Sequence, residues 1–433
     1  MKMQRQRGVM MKKLISLFLL IVTVFNTVIM TGCASNGNGG NDVPDEPAGT
    51  SAYEAQITDE MLDEAVANML KKVDSFLRIN GSAFPGPAGN DNIYPIVQNK
   101  SGWTTGFWTG ILWNAYELAG DNKYVKVATS HVDSFHHRIV NKLGVNHHDM
   151  GFLYSPSCVS AYQLTGNETA KEAAIMAADL LITRFNEKGE FIQSSGNVGD
   201  PAYYKLIVDC LMNIPLLYWA SEETGDATYR DIAQRHLKTT IRNCIREDGG
   251  SYQVYEFDPE TGEALRGTGR QGVNDETTWS RGQAWVMYGT IIAYSYTRDE
   301  ETLDAFKKST EYFIENLPSD FVPYWDFSFK NGAYEPKDSS AASTAVCALL
   351  EAIKYFDEDD PLRAKYTEYA DKIMYSLMKT YTTKNHPSSN GLLLHGTYSI
   401  PAGLGIDETN LWGDYFYAEA LNRMRNPDWK KYW

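Results

Sequence analysis

The chain has 433 residues, 43% of them apolar, with 10 Trp, 27 Tyr and a formal net charge of −15. That length allows one large domain or two medium ones, and the apolar share supports a sizeable core. The negative balance argues against nucleic acid as a partner, yet leaves an anionic ligand open, because a local pocket can be basic within an acidic surface.

Lys2, Arg5, Arg7, Lys12 and Lys13 precede an apolar stretch over residues 14–30. This reads as a signal segment, too short and too poorly bounded for a typical transmembrane helix. It ends in Met30-Thr-Gly-Cys33, which resembles a bacterial lipobox with Cys33 as the lipidated residue. An ordinary signal peptide with an incidental cysteine is the alternative. Residues 34–56, rich at first in Gly, Asn, Asp and Pro, read as a flexible tether, and residues 57–433 as a single domain. The expected protein is extracytoplasmic, monomeric and held on a bacterial membrane by its lipid.

Residues 59–77 carry apolar side chains at helical spacing. After a Gly/Pro/Asn-rich loop over residues 82–101, one unit repeats: an apolar helix, a tight turn, then an amphipathic helix. The apolar runs are residues 106–118, 151–164, 203–221, 285–296, 341–356 and 412–424. The amphipathic partners are residues 124–139, 170–185, 229–245, 303–317 and 362–381, besides the first helix. Runs that are apolar nearly all round require burial on every side. The spacing therefore predicts an all-α fold, an (α/α)6 barrel of six helical hairpins. An open solenoid is the competitor, but has less need of such helices. One segment is not helical. Residues 250–257 alternate, Asp258-Pro-Glu-Thr-Gly262 turns, and residues 263–266 return, which reads as a small inserted β-hairpin.

Cys158, Cys210, Cys244 and Cys347 form no CxxC pair and read as buried thiols. The histidines form no HExxH and no pair at i, i+4, so neither a metal site nor a cofactor is expected.

Unusual polar and aromatic residues gather at the starts of the apolar runs. They are Trp103-Thr-Thr-Gly-Phe-Trp108, His147-His-Asp-Met-Gly-Phe152, Tyr203 to Asp209, Asp275 to Trp285, Asp338-Ser-Ser-Ala-Ala342 and Glu408 to Phe416. Parallel inner helices would bring all of these clusters to one mouth, where helix N-termini favour anions. Asp209 lies inside an apolar run, where burial is costly and raises the pKa toward what a general acid needs. Plainer readings stand beside these. Asp209 could pair with Lys205. Asp149 and Asp338 could be helix N-caps. Arg281, between Trp279 and Trp285, could be a stacked core cation, and Asp414 could pair with an Arg. Trp108 and Trp113 read as core. Two carboxylates on one pocket suggest acid/base chemistry on a glycoside. An inverting hydrolase, a lyase, an epimerase and a hydratase-like enzyme stay open at this point.

Taken as a set, these motifs resemble the unsaturated glucuronyl hydrolases of glycoside hydrolase family 88, from about Asp59 to the C-terminus. The resemblance implies an (α/α)6 barrel and release of a 4,5-unsaturated uronic acid from lyase-made oligosaccharides of glycosaminoglycan, gellan or ulvan type. It implies that Asp209 is the general acid and base for hydration of the enol ether, and that Asp149 binds sugar hydroxyls beside it. It places Trp103, His148, Gln271, Trp279, Arg281 and Tyr398 around the substrate. Two departures follow. Gln253 stands where many members have a histidine in the hairpin. Residues 398–404 keep Ser399 but carry Ala402 and Leu404 in place of the Ser and Lys of a sulfate-holding element, which implies a substrate that is unsulfated or sulfated elsewhere. The alternatives are an unsaturated rhamnogalacturonyl hydrolase type, an inverting glycosidase on the same barrel, and a glycan-binding lipoprotein without catalysis.

Overall fold

A computed structural model describes residues 57–433. The lipobox with Cys33 and the tether fall outside the described residues.

The inner helices are α2 (Thr105–Ala119), α4 (Met150–Tyr154), α7 (Pro215–Thr224), α9 (Ser280–Thr297), α11 (Ser339–Ala352) and α13 (Leu411–Arg425). Helix α4 continues through a π turn (Ser155–Val159) into α5 (Ser160–Thr165). The outer helices are α1 (Asp59–Asn80), α3 (Asn122–Val140), α6 (Glu168–Ile182), α8 (Ala227–Cys244), α10 (Glu300–Glu315) and α12 (Pro361–Ser376). Helix α2 packs on α4, α4 on α7, α7 on α9, α9 on α11, α11 on α13, and α13 back on α2. The ring is closed, so the solenoid is excluded and the barrel stands.

The two layers differ as their sequences require. Every residue of α9 from Ser280 to Tyr294 is buried. Helix α10 instead buries one stripe, including Leu303, Phe306, Phe313 and Ile314. The hairpin turns are set locally. Gly225 takes the left-handed conformation that ends α7 (φ 75°), and Asp226 then accepts the amide of Thr228 to start α8. Inner helices approach closely where a side chain is missing. A Cβ on Gly106 of α2 would collide with the carbonyl oxygens of Phe152 and Leu153. The core is aromatic. Trp433 lies against the rings of Phe107, Phe152, Tyr288, Tyr415 and Phe416. The four cysteines are buried thiols.

The strands correct one reading. Two short antiparallel pairs, β1 (Phe84–Pro85) with β2 (Ile96–Val97) and β3 (Phe185–Asn186) with β4 (Phe191–Ile192), were not expected. The expected hairpin exists as β6 (Val254–Phe257) and β7 (Ala264–Thr268), but it carries a third strand, β5 (Lys205–Ile207). Strand β5 pairs antiparallel with β6, with Ile207 opposite Val254. The third apolar run is therefore not helical from residue 203. It is a strand, then a 3-10 turn over Val208–Met212, then a helix that begins at Pro215. Proline suits the first turn of a helix because its missing N–H has no partner there in any case.

Candidate active site

The site is a cavity of about 460 Å³ at the N-terminal mouth of the inner ring. All ten residues assigned to the pocket from the sequence line it: Asp209, Asp149, Trp103, His148, Gln253, Gln271, Trp279, Arg281, Tyr398 and Ser399. Ile207, Arg270 and residues of the loop 401–404 complete the wall. The expectation that all six clusters line the cavity is corrected. Asp338 and Trp412 form a layer behind Arg281, and Asp275 accepts the amide of Gly269 in the adjacent loop.

Asp209 sits in the 3-10 turn between β5 and α7. The amide of Val208 donates to the carbonyl of Gln253 at 2.9 Å, which ties the turn to the sheet. Asn213 holds it from the other side. Its Nδ2 donates to the carbonyl of Asp209 at 3.0 Å, and its Oδ1 accepts the amide of Phe152 at 2.8 Å. One side chain thus joins the segment bearing Asp209 to the helix that follows Asp149. Asn213 was quoted in a motif, but its bridging role depends on α4 and is invisible locally. Among the described residues, Oδ1 of Asp209 has no hydrogen-bond partner. No ion pair with Lys205 forms. Burial, then the charge of Asp149, push the carboxyl up to about 7, with Arg281 and Arg270 pulling the other way.

Asp149 occupies the N-cap position of α4 without capping it. Its oxygens face two imidazoles instead. Nδ1 of His147 lies 3.0 Å from Oδ2, and Nε2 of His148 lies 3.3 Å from Oδ1. Burial opposes its charge, but His148 and His147 outweigh it and hold the carboxyl below the usual carboxylate range. Burial pushes His148 down to about 4, so it is uncharged at neutral pH. The two carboxyls are therefore driven apart, one toward the acid form and one toward the anion.

The opposite wall is a chain of polar contacts. Oε1 of Gln253 accepts the amide of Gln271 at 2.6 Å. Arg281 donates to Oε1 of Gln271 at 3.4 Å, to the carbonyls of Thr397 and Tyr398, and to Oδ2 of Asp338 at 2.8 Å. Its guanidinium lies 4.3 Å from the ring centroid of Trp279 and 4.9 Å from that of Trp412. Arg281 stacks as its plainer reading allowed, but with Trp412 rather than Trp285 as the second ring. Asp338 both caps α11, through Ser340, and carries the ion pair. Nε1 of Trp103 donates to the hydroxyl of Tyr398 at 3.0 Å, and the Trp103 ring stacks on Trp412. Ser399 and Leu404 close a tight turn by exchanging backbone hydrogen bonds. Asp414 pairs with no Arg among the described residues. It accepts the amides of Leu392 and Leu393 at 2.8 and 2.9 Å and the hydroxyl of Tyr94 at 2.8 Å.

A sugar-sized cavity with aromatic walls, one proton-holding carboxyl and one ionised carboxyl, set in the mouth of an (α/α)6 barrel, defines a carbohydrate-active acid/base enzyme. The chain belongs to glycosyl hydrolase family 88, whose model matches residues 89–428. It is 44% identical over 377 residues to the unsaturated chondroitin disaccharide hydrolase of Streptococcus agalactiae serotype III, covering 87% of this chain and 94% of that one. The crystal structure of unsaturated glucuronyl hydrolase from Streptococcus agalactiae superposes with a TM-score of 0.85 at 44% identity, over 87% of this chain and 94% of the other. A mutant of that enzyme complexed with dGlcA-GalNAc6S superposes with a TM-score of 0.78 at 41% identity, over 87% and 94% of the two chains.

Proposed function

We propose that this chain releases a 4,5-unsaturated uronic acid from the non-reducing end of lyase-made disaccharides of chondroitin type. Asp209, protonated, gives its proton to C4 of the enol ether. The resulting carboxylate then takes a proton from the water whose oxygen adds at C5, so the acid is regenerated and one water is consumed. The hemiketal at C5 opens, C1 becomes a hemiacetal, and its collapse to an aldehyde frees the second sugar as an alcohol. Asp149 holds the uronate hydroxyls and, as a fixed negative charge, keeps Asp209 protonated. Trp103 and Trp279 offer faces to the sugar ring. Gln253 and Gln271 supply amides that do not titrate, so the pH response belongs to the carboxyls.

The observation that carries this reading is the carboxyl of Asp209, which lines the cavity, is raised to about 7 and leaves Oδ1 uncommitted. The test is the ultraviolet absorbance of the conjugated uronate, followed after enzyme is added to lyase-made disaccharides. Persistence of the band with every such substrate would sink the proposal. We further propose that the mature protein is a monomer tethered to the membrane through Cys33. Cys33→Ser should release it into the soluble fraction, and unchanged membrane partition would count against the tether.

A further inference from the structure

Helix α13 stops at Arg425, just before Asn426-Pro427, since a residue preceding proline is driven out of the helical region. The chain then turns back, and the side chain of Trp433 reaches the rings of Tyr415 and Phe416. Two anchors fasten this return to the inner ring. Nε1 of Trp429 donates to Oε2 of Glu117 in α2 at 2.7 Å, and the hydroxyl of Tyr296 in α9 donates to the carbonyl of Trp433 at 2.9 Å. The Trp433 ring is buried. Its centroid lies 5.9–6.5 Å from those of Phe107 in α2, Phe152 in α4, Tyr288 in α9 and Phe416 in α13. Nε1 donates to Oε2 of the buried Glu419 at 2.9 Å, which fixes the orientation of the ring. One indole therefore touches four of the six inner helices.

Two of those contacts lead toward the catalytic cavity. Phe152 and Phe107 lie 5.3 and 5.9 Å from the ring of Trp103, which lines it. Phe152 is also three residues beyond Asp149, and its amide donates to Oδ1 of Asn213, whose Nδ2 holds the carbonyl of Asp209. Its backbone is thus tied to both carboxyl-bearing segments, while its ring rests on Trp433. Interiors packed this closely transmit a displacement rather than absorb it.

We propose that Trp433 is a positioning residue for catalysis: its ring supports Phe152, and through Phe152 it sets the spacing of Asp149 and Asp209. This rests on the reading of the pocket given above. Without the indole, the surrounding rings relax part of the way into the void. Phe152 moves with them and pulls the Asn213 link and the carboxyls out of register. Trp103 has a second hold, on Tyr398 and Trp412, so sugar binding changes less than proton delivery.

The test measures kcat and KM on a lyase-made unsaturated chondroitin disaccharide for the wild type, Trp433→Ala and Trp433→Phe, well below their melting temperatures. Trp433→Ala should melt about 5 °C lower. Its kcat should fall by about tenfold or more, the scale of a displaced catalytic group, while KM changes less than about threefold. Trp433→Phe keeps a ring against Phe152 and should stay within about threefold of the wild type in kcat. Added indole should fill the void in the Ala variant and restore its kcat, because an apolar cavity of this kind takes up an aromatic guest. A groove of about 1070 Å³, lined by Tyr116, Trp429 and Tyr432 among others, gives access near the Trp429 anchor. Should the Ala variant not fold, Trp433→Leu is judged by the same criteria. A folded variant with lower melting temperature and unchanged kcat overturns the positioning role and leaves the reaction intact. So does a Phe variant as impaired as Ala, since the loss would then follow the N–H bond to Glu419 and not the packing. A wild type that consumes no unsaturated disaccharide overturns the reaction itself, and the role of Trp433 with it.

Discussion

Replacing Asp209 by Asn should make the protein more stable and nearly inert, and the two effects should depend on pH differently. The carboxyl is raised from 3.8 to about 7, which corresponds to roughly 4 kcal/mol of penalty on its charged form. The sign follows from linkage. An acid whose folded pKa lies above its unfolded one binds more protons when folded, so stability falls as pH rises between the two values. Below about pH 4 the group is neutral in both states and nothing is lost. Above about pH 7 the full penalty applies, aggravated by the charge of Asp149. Asn keeps the size and cannot ionise. Its melting temperature should match the wild type near pH 4 and exceed it by about 5 °C near pH 8, for an unfolding entropy scaled to a domain of this length. The rate should fall by roughly two to four orders of magnitude, the usual worth of a positioned proton donor. Calorimetry at several pH values and loss of the uronate absorbance read the two effects. A melting difference that does not change with pH would refute the burial argument. A variant retaining more than about a tenth of the rate would move the acid role elsewhere, with Asp149 the first suspect.

Three further outcomes follow from the same contacts. The wild type needs Asp209 protonated and Asp149 ionised, so kcat/KM should fall as pH rises through about 7. Asp149→Asn removes the like charge and should shift that alkaline limb to lower pH. A limb that stays in place means the two carboxyls do not interact. Asn213→Ala leaves the Phe152 amide and the Asp209 carbonyl without their partner, at about 1–3 kcal/mol each. It should lower kcat more than it raises KM, whereas an effect confined to stability would deny Asn213 a positioning role. Asp338→Ala strands the buried guanidinium of Arg281, and urea unfolding should show a loss of about 3–5 kcal/mol. An unchanged midpoint would mean that Arg281 finds another anion or leaves the core.

The barrel was legible because its signals are local. Burial all round in residues such as Trp285 to Tyr294 and the Gly225-Asp226 turn can be read in a short window. Ring closure followed from the same apolar faces, since helices like α9 and α11 have no polar side to give to solvent. Strand β5 was not legible. An apolar stretch such as Lys205 to Ile207 fits a helix or a strand equally by periodicity, and its partner Val254 is distant in sequence. The pocket residues were visible as types, but their partners were not. Asp338 answers Arg281 across 57 residues, and Asn213 reaches Phe152 across 61. Arg270 also lines the cavity, but nothing in its loop has a period that would mark it in the sequence.

Burial by itself would have named the wrong number of acids. Asp209 and Asp414 are both raised to about 7, and both chiefly by burial. What separates them is where their oxygens point. Asp414 accepts two backbone amides and the Tyr94 hydroxyl, so it fastens the segment at Leu392 and Leu393 to α13 and lies outside the cavity. Asp209 lines the cavity and leaves Oδ1 without a partner among the described residues, beside an anion that opposes its ionisation. A raised carboxyl whose hydrogen-bonding capacity is spent on the fold stabilises it. A raised carboxyl with capacity left over is a proton source. The sequence set Asp209 inside an apolar run and offered Asp414 an Arg as partner, and only the count of donors around each one assigns them to different work.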